Sequence, residues 1–204
     1  KKLNFKIENF SKFKDKIKYL VVDDLPFSVK SPKKNWHENH SRDQFQRNAM
    51  ERGYRDFSGE DLIMISDIDE IPNPKKLEEF NIKNKYACFL QKNFQSKINL
   101  LNITEENWPG TKICQKKYLR SPQWLRNIKT KKKPFWKIFN RNIQLIDNGG
   151  WHFSFLKKPE SIKNKIISYS HQEYNTEEFT NVDFIKKKIS LGEDLFHRKI
   201  KYKK

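Results

Sequence analysis

The segment ISDIDEIP places Asp67 and Asp69 two positions apart, directly after the apolar run DLIMIS at residues 61–66. In an extended chain such residues leave on the same face. Two carboxylates this close repel one another unless a cation or a proton joins them. Mg²⁺ or Mn²⁺ takes oxygen ligands and is readily shared with phosphate oxygens. The end of a buried strand is also where open α/β sheets bind their ligands. A plainer reading is a solvated acidic turn whose carboxylate caps the helix after Pro72, but capping needs only one Asp.

An apolar strand followed by D-x-D is also found in haloacid-dehalogenase phosphatases, where the first Asp is a nucleophile. There the motif closes the first strand of the domain. Here a strand and a long helix are predicted ahead of it, and Ile71 stands where Thr or Val is expected. In NGGWHFSF, residues 148–155, paired glycines permit a tight turn or a close backbone approach. His152 alternates with Trp151 and Phe153, so it leaves the strand on the face opposite those aromatics. A neutral imidazole there suits a metal, and a core histidine bonded to a carbonyl is the alternative. Arg47 offers a two-pronged fork for phosphate, or else pairs with Asp43 or Glu51 on an exposed helix face. SHQEYN carries His171 and Glu173, a general-base candidate beside an imidazole or simply two solvated groups at a helix end.

The elements that must position these groups follow from periodicity. Residues 16–23 (KIKYLVVD) predict a short buried strand, and Pro26 and Pro32 a loop. Residues 38–52 predict a helix that stops at Gly53. DLIMIS predicts a central strand of a parallel sheet, and residues 74–80 a short helix. Residues 86–95 predict a strand, 102–134 a loop-rich stretch and 137–146 one or two short strands. After the Asn148-Gly149-Gly150 turn comes a strand at 151–155. Helical spacing then begins at Pro159, and a last helix at 181–191 ends at Gly192. Alternating strands and helices in the first half argue for an α/β fold with a mostly parallel central sheet flanked by helices, one domain over residues 1–204.

Composition narrows the class. Aromatics at 14 %, among them 16 Phe, supply a core that a disordered chain lacks. The net charge of +18 is carried by Lys, since Arg contributes only eight of the 43 basic residues. Together with abundant Asn and Ile, this is the imprint of AT-rich codons on a solvated surface. It predicts no specific nucleic-acid partner, although attraction to a lipid surface or a nucleotide diphosphate is also consistent with it. The densest runs, KTKKK at 129–133 and KIKYKK at 199–204, suit an exposed loop and a frayed end. Cys88 and Cys114 have no metal-ligand spacing and form no disulfide framework. No apolar run reaches the length of a membrane span. The compartment stays undecided between the cytoplasm and, if an anchor precedes Lys1, a secretory lumen.

Taken in order, QRNAM, ISDIDEIPNP, NWPGTK, NGGWHFSF and SHQEYN resemble glycosyltransferase family 17, which includes the enzyme adding the bisecting N-acetylglucosamine to N-glycans. The resemblance implies a GT-A (Rossmann-like) fold and a UDP-sugar donor such as UDP-N-acetylglucosamine. It also implies a glycan or glycoprotein acceptor, Mn²⁺ or Mg²⁺, and inversion at the anomeric carbon. Asp67, Asp69 and His152 would hold the metal, with Asp67 also within reach of ribose. Arg47 and Asn48 would face the donor, and Lys157 or Lys158 its diphosphate. Glu173, or in reserve Asp147, would be the base. Trp108, Trp124, Trp136 and Trp151 are read mainly as core, although Trp108 and Trp124, in the loop-rich stretch, could stack on an acceptor sugar. The first residues of the chain resemble the segment after the family's first strand and helix, so the donor site is expected to lack that N-terminal unit. The alternative is a catalytically silent carbohydrate- or polyanion-binding module on the same fold.

Overall fold

The computed structural model describes residues 5–25, 38–130 and 143–204. Its centre is β3 (Tyr86–Gln95), whose ten residues are mostly buried. One side of β3 pairs antiparallel with β5 (Asn107–Gln115), and β5 pairs antiparallel with β1 (Leu62–Ile65). Near its end β3 also pairs with the short β4 (Leu101–Asn102), which meets β8 (Tyr202–Lys203). In parallel sense β3 pairs with β6 (Gln144–Ile146) and with β7 (Gly150–Ser154), and β7 carries β2 (Glu70–Pro72) antiparallel.

The sheet is therefore mixed, and among the described residues only the β3–β6 and β3–β7 ladders are parallel. This corrects the expected mostly parallel sheet. The chain from β3 to β5 is too short for a crossover helix, so those strands must run antiparallel. DLIMIS does form β1, but at the end of the strand order rather than in the centre, with Leu62 exposed. The stretch expected to be loop-rich contains β5. Its Trp-Pro-Gly sequence lies at a register shift opposite Cys88 and Leu90, a place in a sheet that tolerates proline.

Side chains alternate across the sheet as the pleat requires. Ile63, Ile65, Tyr86 and Cys114 form one buried layer with Leu125. Ala87, Phe89 and Ile113 form another with Phe80 and Ile146. Helices α1 (Glu38–Asn48) and α2 (Glu51–Tyr54) replace the single helix expected to stop at Gly53, which lies inside α2. Met50 and Tyr54 pack on the first layer beside α3 (Pro122–Arg126). Residues 17–25 run without joining the sheet, contrary to the expected buried strand. Tyr19 and Val21 are exposed, and Arg52 grips the Asp24 carboxylate at 2.6 and 3.0 Å.

A separate apolar cluster holds the C-terminal part. Phe155, Ile162, Ile166, Ile185, Leu195 and Phe196 bind α4 (Pro159–Ser168) to α6 (Val182–Leu191), with the small α5 (Glu177–Thr180) alongside. Gly192 ends α6 in the left-handed conformation, as its sequence position predicts. The loop at Pro26 and Pro32, Trp136, and most of the run 137–146 lie outside the described residues.

Candidate active site

Between the sheet and the C-terminal helices lies a cavity of about 380 Å³. Sheet register builds its first wall. Glu70 of β2 stands opposite His152 of β7, and His152 stands opposite Asn93 of β3, so the three side chains share a row. The glycines before His152 make that register possible. A Cβ on Gly149 would lie 2.7 Å from Phe89 Cα, and Gly150, at φ +136°, would meet the Ile71 carbonyl. Their role is thus close packing of β7 between β2 and β3.

The acidic motif is a turn rather than an extended strand end. The Glu70 amide donates to the Asp67 carbonyl at 3.0 Å, and Ile68 at its tip is fully exposed. The two carboxylates consequently face different partners. Asp67 Oδ1 accepts from Arg47 and Oδ2 from Arg126, each at 3.0 Å. Asp69 instead faces His152 Nε2 at 3.7 Å and Lys165 Nζ of α4 at 3.5 Å.

Beneath the turn, the Glu70 side chain is fully buried, bound by Arg126 and by the Trp108 indole N–H at 2.9 Å. Burial raises its carboxyl above the usual range, while Arg126 and Trp108 oppose the shift. The Trp108 ring stacks on His152, with centroids 4.4 Å apart and planes 9° from parallel. Arg47 also reaches Gln123, and Asn48 accepts from the Gln123 amide at 3.0 Å. The Arg-Asn pair thereby anchors α3, the helix that carries Arg126. Buried Lys112, brought down to about 8 by desolvation, donates to the carbonyls of Arg126 and Ile128 just beyond that helix.

The protonation of His152 follows from its neighbours. Asn93 Nδ2 donates to the Glu105 carbonyl at 3.4 Å, which turns Asn93 Oδ1 toward His152 Nδ1 at 3.0 Å. Nδ1 must therefore carry the proton, and Nε2 presents its lone pair to Asp69. Desolvation lowers the His152 pKa and favours this neutral form, against the pull of Asp69. A lone pair facing a carboxylate without a proton between them is an arrangement that a cation relieves. Asp69 and His152 thus fit a divalent metal. Asp67 also lines the cavity, with each carboxylate oxygen held by one arginine. Among the described residues no group of three or more His, Cys, Asp or Glu side chains is arranged to hold a metal ion by itself.

The remaining expected residues divide between wall and surface. Glu173 lines the cavity and accepts from His171 Nδ1 at 2.9 Å. Asp147 is exposed in the turn between β6 and β7, and Lys157 and Lys158 are exposed ahead of α4; none of them lines the cavity. The lysine in the wall is Lys165, held 4.8 Å over the Phe155 ring. Trp124 packs against Tyr86 in the first apolar layer. Sequence reasoning missed Glu70, Asn93, Arg126 and Lys165, which lie outside or inconspicuously within the motifs. Glu70, directly after the second Asp, had the clearest signal.

A model of glycosyltransferase family 17 matches residues 1–199. The chain belongs to that family. It is accordingly a transferase that moves a sugar from a donor to a glycan acceptor. No curated protein and no solved structure matches the chain. Among the described residues no helix is long and apolar enough to cross a membrane.

Proposed function

We propose that this chain is an inverting glycosyltransferase of GT-A type. It takes a UDP-sugar, with UDP-N-acetylglucosamine the first choice, and uses a divalent cation held by Asp69 and His152. The observation that carries this reading is a buried imidazole whose Nδ1 faces Asn93 Oδ1 at 3.0 Å and whose Nε2 stands 3.7 Å from the Asp69 carboxylate. The cation, Mn²⁺ or Mg²⁺, supplies charge neutralisation at the leaving diphosphate.

The chain's own residues do the rest. Lys165 brings an ammonium to the diphosphate side of Asp69, where developing negative charge is stabilised. Arg47 and Arg126 hold Asp67 and set the turn, and Asp67 remains close enough to the site to meet ribose or metal when a donor binds. Trp108 clamps the imidazole face and keeps water from it. The acceptor approaches the part of the cavity lined by Glu173 and His171.

Calorimetry of UDP with Mn²⁺ tests the reading. Wild type should bind UDP only with the metal present, and Asp69→Asn should lose that dependence. Equal UDP affinity in wild type and variant, with and without Mn²⁺, would remove the cation from this site. A screen of sugar nucleotides scored by UDP or GDP release then identifies the donor.

A further inference from the structure

We infer that His171, held in place by Glu173, is the base that takes the acceptor's proton. The inference rests on the transferase reading above. It reassigns the role expected of Glu173 to the residue two positions earlier.

Geometry separates the two. Glu173 Oε1 accepts from His171 Nδ1 at 2.9 Å, so the neutral ring carries its proton on Nδ1. Nε2 is then the basic atom, and it makes no hydrogen bond among the described residues. The carboxylate fixes the tautomer and stabilises the charge that forms on the ring, the division of labour seen whenever a carboxylate orients a histidine base. Both side chains line the cavity and are half exposed, so a hydroxyl can reach them. The ring is wedged edge-on against His40, with Tyr169 and Tyr174 nearby.

Two residues of the cavity lining also carry unpartnered polar atoms. The Tyr169 hydroxyl and Gln95 Nε2 are buried with no hydrogen-bond partner, and both residues line the cavity. Orphaned polar atoms of this kind are costly unless a ligand or water completes them.

In the step itself, the acceptor oxygen bonds to the donor's anomeric carbon as that carbon's bond to the diphosphate oxygen breaks. The bonding pair leaves with the diphosphate, and the hydroxyl proton passes to His171 Nε2. Water can replace the acceptor and gives free sugar and UDP by the same proton transfer.

The test therefore uses UDP-N-acetylglucosamine with Mn²⁺ and follows UDP release, with UDP binding measured separately. His171→Ala and His171→Asn should each lower the turnover number about 100-fold, within the usual range for a lost general base. Both should leave UDP affinity within about twofold. The Asn variant keeps an N–H for Glu173, so it separates basicity from architecture. Glu173→Gln should lose about tenfold, and the double variant should be no worse than His171→Ala, because the pair acts as one unit. Added imidazole should rescue His171→Ala alone. The inference is overturned if His171→Asn releases UDP at the normal rate. It is equally overturned if Glu173→Gln, or Glu105→Gln at another lining residue, falls as far as His171→Ala. A wild type that binds no UDP with Mn²⁺ overturns the transferase reading, and this inference with it.

Discussion

The two ends of the cavity are built by different means. At the sheet end, Glu70, His152 and Asn93 stand in one row fixed by ladder register, and every one of them is buried and hydrogen-bonded. At the helical end, His171 and Glu173 project from a short 3₁₀ turn (Gln172–Tyr174) and its leading residue, and both are half exposed. A site for a constant partner, such as a metal and a diphosphate, gains from preorganisation by packed strands. A site for an acceptor gains from side chains that can adjust. The difference suggests that the donor half tolerates little change, while the acceptor half sets specificity.

The largest effect should come from Asp69. Asp69→Asn is expected to lower UDP release from UDP-N-acetylglucosamine by about 1,000-fold or more, since it weakens the charge stabilisation that dominates such sites. Its melting temperature should change little, because relief at the imidazole lone pair offsets the weakened Lys165 contact. Asp67→Asn should behave in the opposite way, losing stability through its two arginine contacts as well as activity. If the two variants cannot be told apart by melting, the contrast between the two carboxylates fails.

Next in size is the buried pair under the turn. Arg126→Met strands Glu70, whose side chain has no exposure, and is expected to cost about 3–5 kcal/mol in urea unfolding. The double change Glu70→Met with Arg126→Met should recover much of that loss, because well-packed apolar residues can replace a buried ion pair. A smaller effect is expected at Asn93. Asn93→Leu removes the acceptor that keeps the proton on His152 Nδ1, and Mn²⁺ affinity in the presence of UDP should fall about 10- to 100-fold. Unchanged affinity would mean that His152 does not need its tautomer fixed.

What was legible in the sequence follows from the range of the interactions. The acidic motif, β3, the strand through His152 and both C-terminal helices announce themselves within a dozen residues, through apolar spacing, glycine and proline. The antiparallel pairing was hidden because β5 runs through Trp108-Pro109-Gly110, residues that read locally as a turn. The partners of the motif were hidden for another reason. Arg126 lies 59 positions from Asp67, and Lys165 lies 96 from Asp69, so only the fold joins them. The extended geometry assumed for the two carboxylates also failed locally. Glu70 must turn inward to meet Arg126 and Trp108, and that closes the chain into a turn which sends Asp67 and Asp69 to different partners.

The smallest effect sharpens the comparison most, because it concerns which lysine serves the diphosphate. The family resemblance points to Lys157 or Lys158, which follow HFSF after Leu156. In the structure both are exposed at the entrance to α4 and neither reaches the cavity wall. Lys165 lies two turns further along that helix and faces inward, 3.5 Å from Asp69 Oδ2 and over the Phe155 ring. Its ammonium is therefore held by two fixed groups, whereas the other two sample solvent, where a single charge is largely screened beyond about 10 Å at ordinary salt. The double variant Lys157→Ala with Lys158→Ala should change UDP affinity by less than about twofold at physiological ionic strength, with a somewhat larger loss at low salt, as suits long-range steering. Lys165→Met, which keeps a side chain of similar length without the ammonium, should weaken UDP binding by about tenfold, close to the 1.4 kcal/mol that one charge-assisted contact supplies. Calorimetry at two salt concentrations measures both. A larger loss from the double variant than from Lys165→Met would show that the segment after HFSF closes over the donor when it binds, and that the sheet end of the cavity is less rigid than its hydrogen bonds imply.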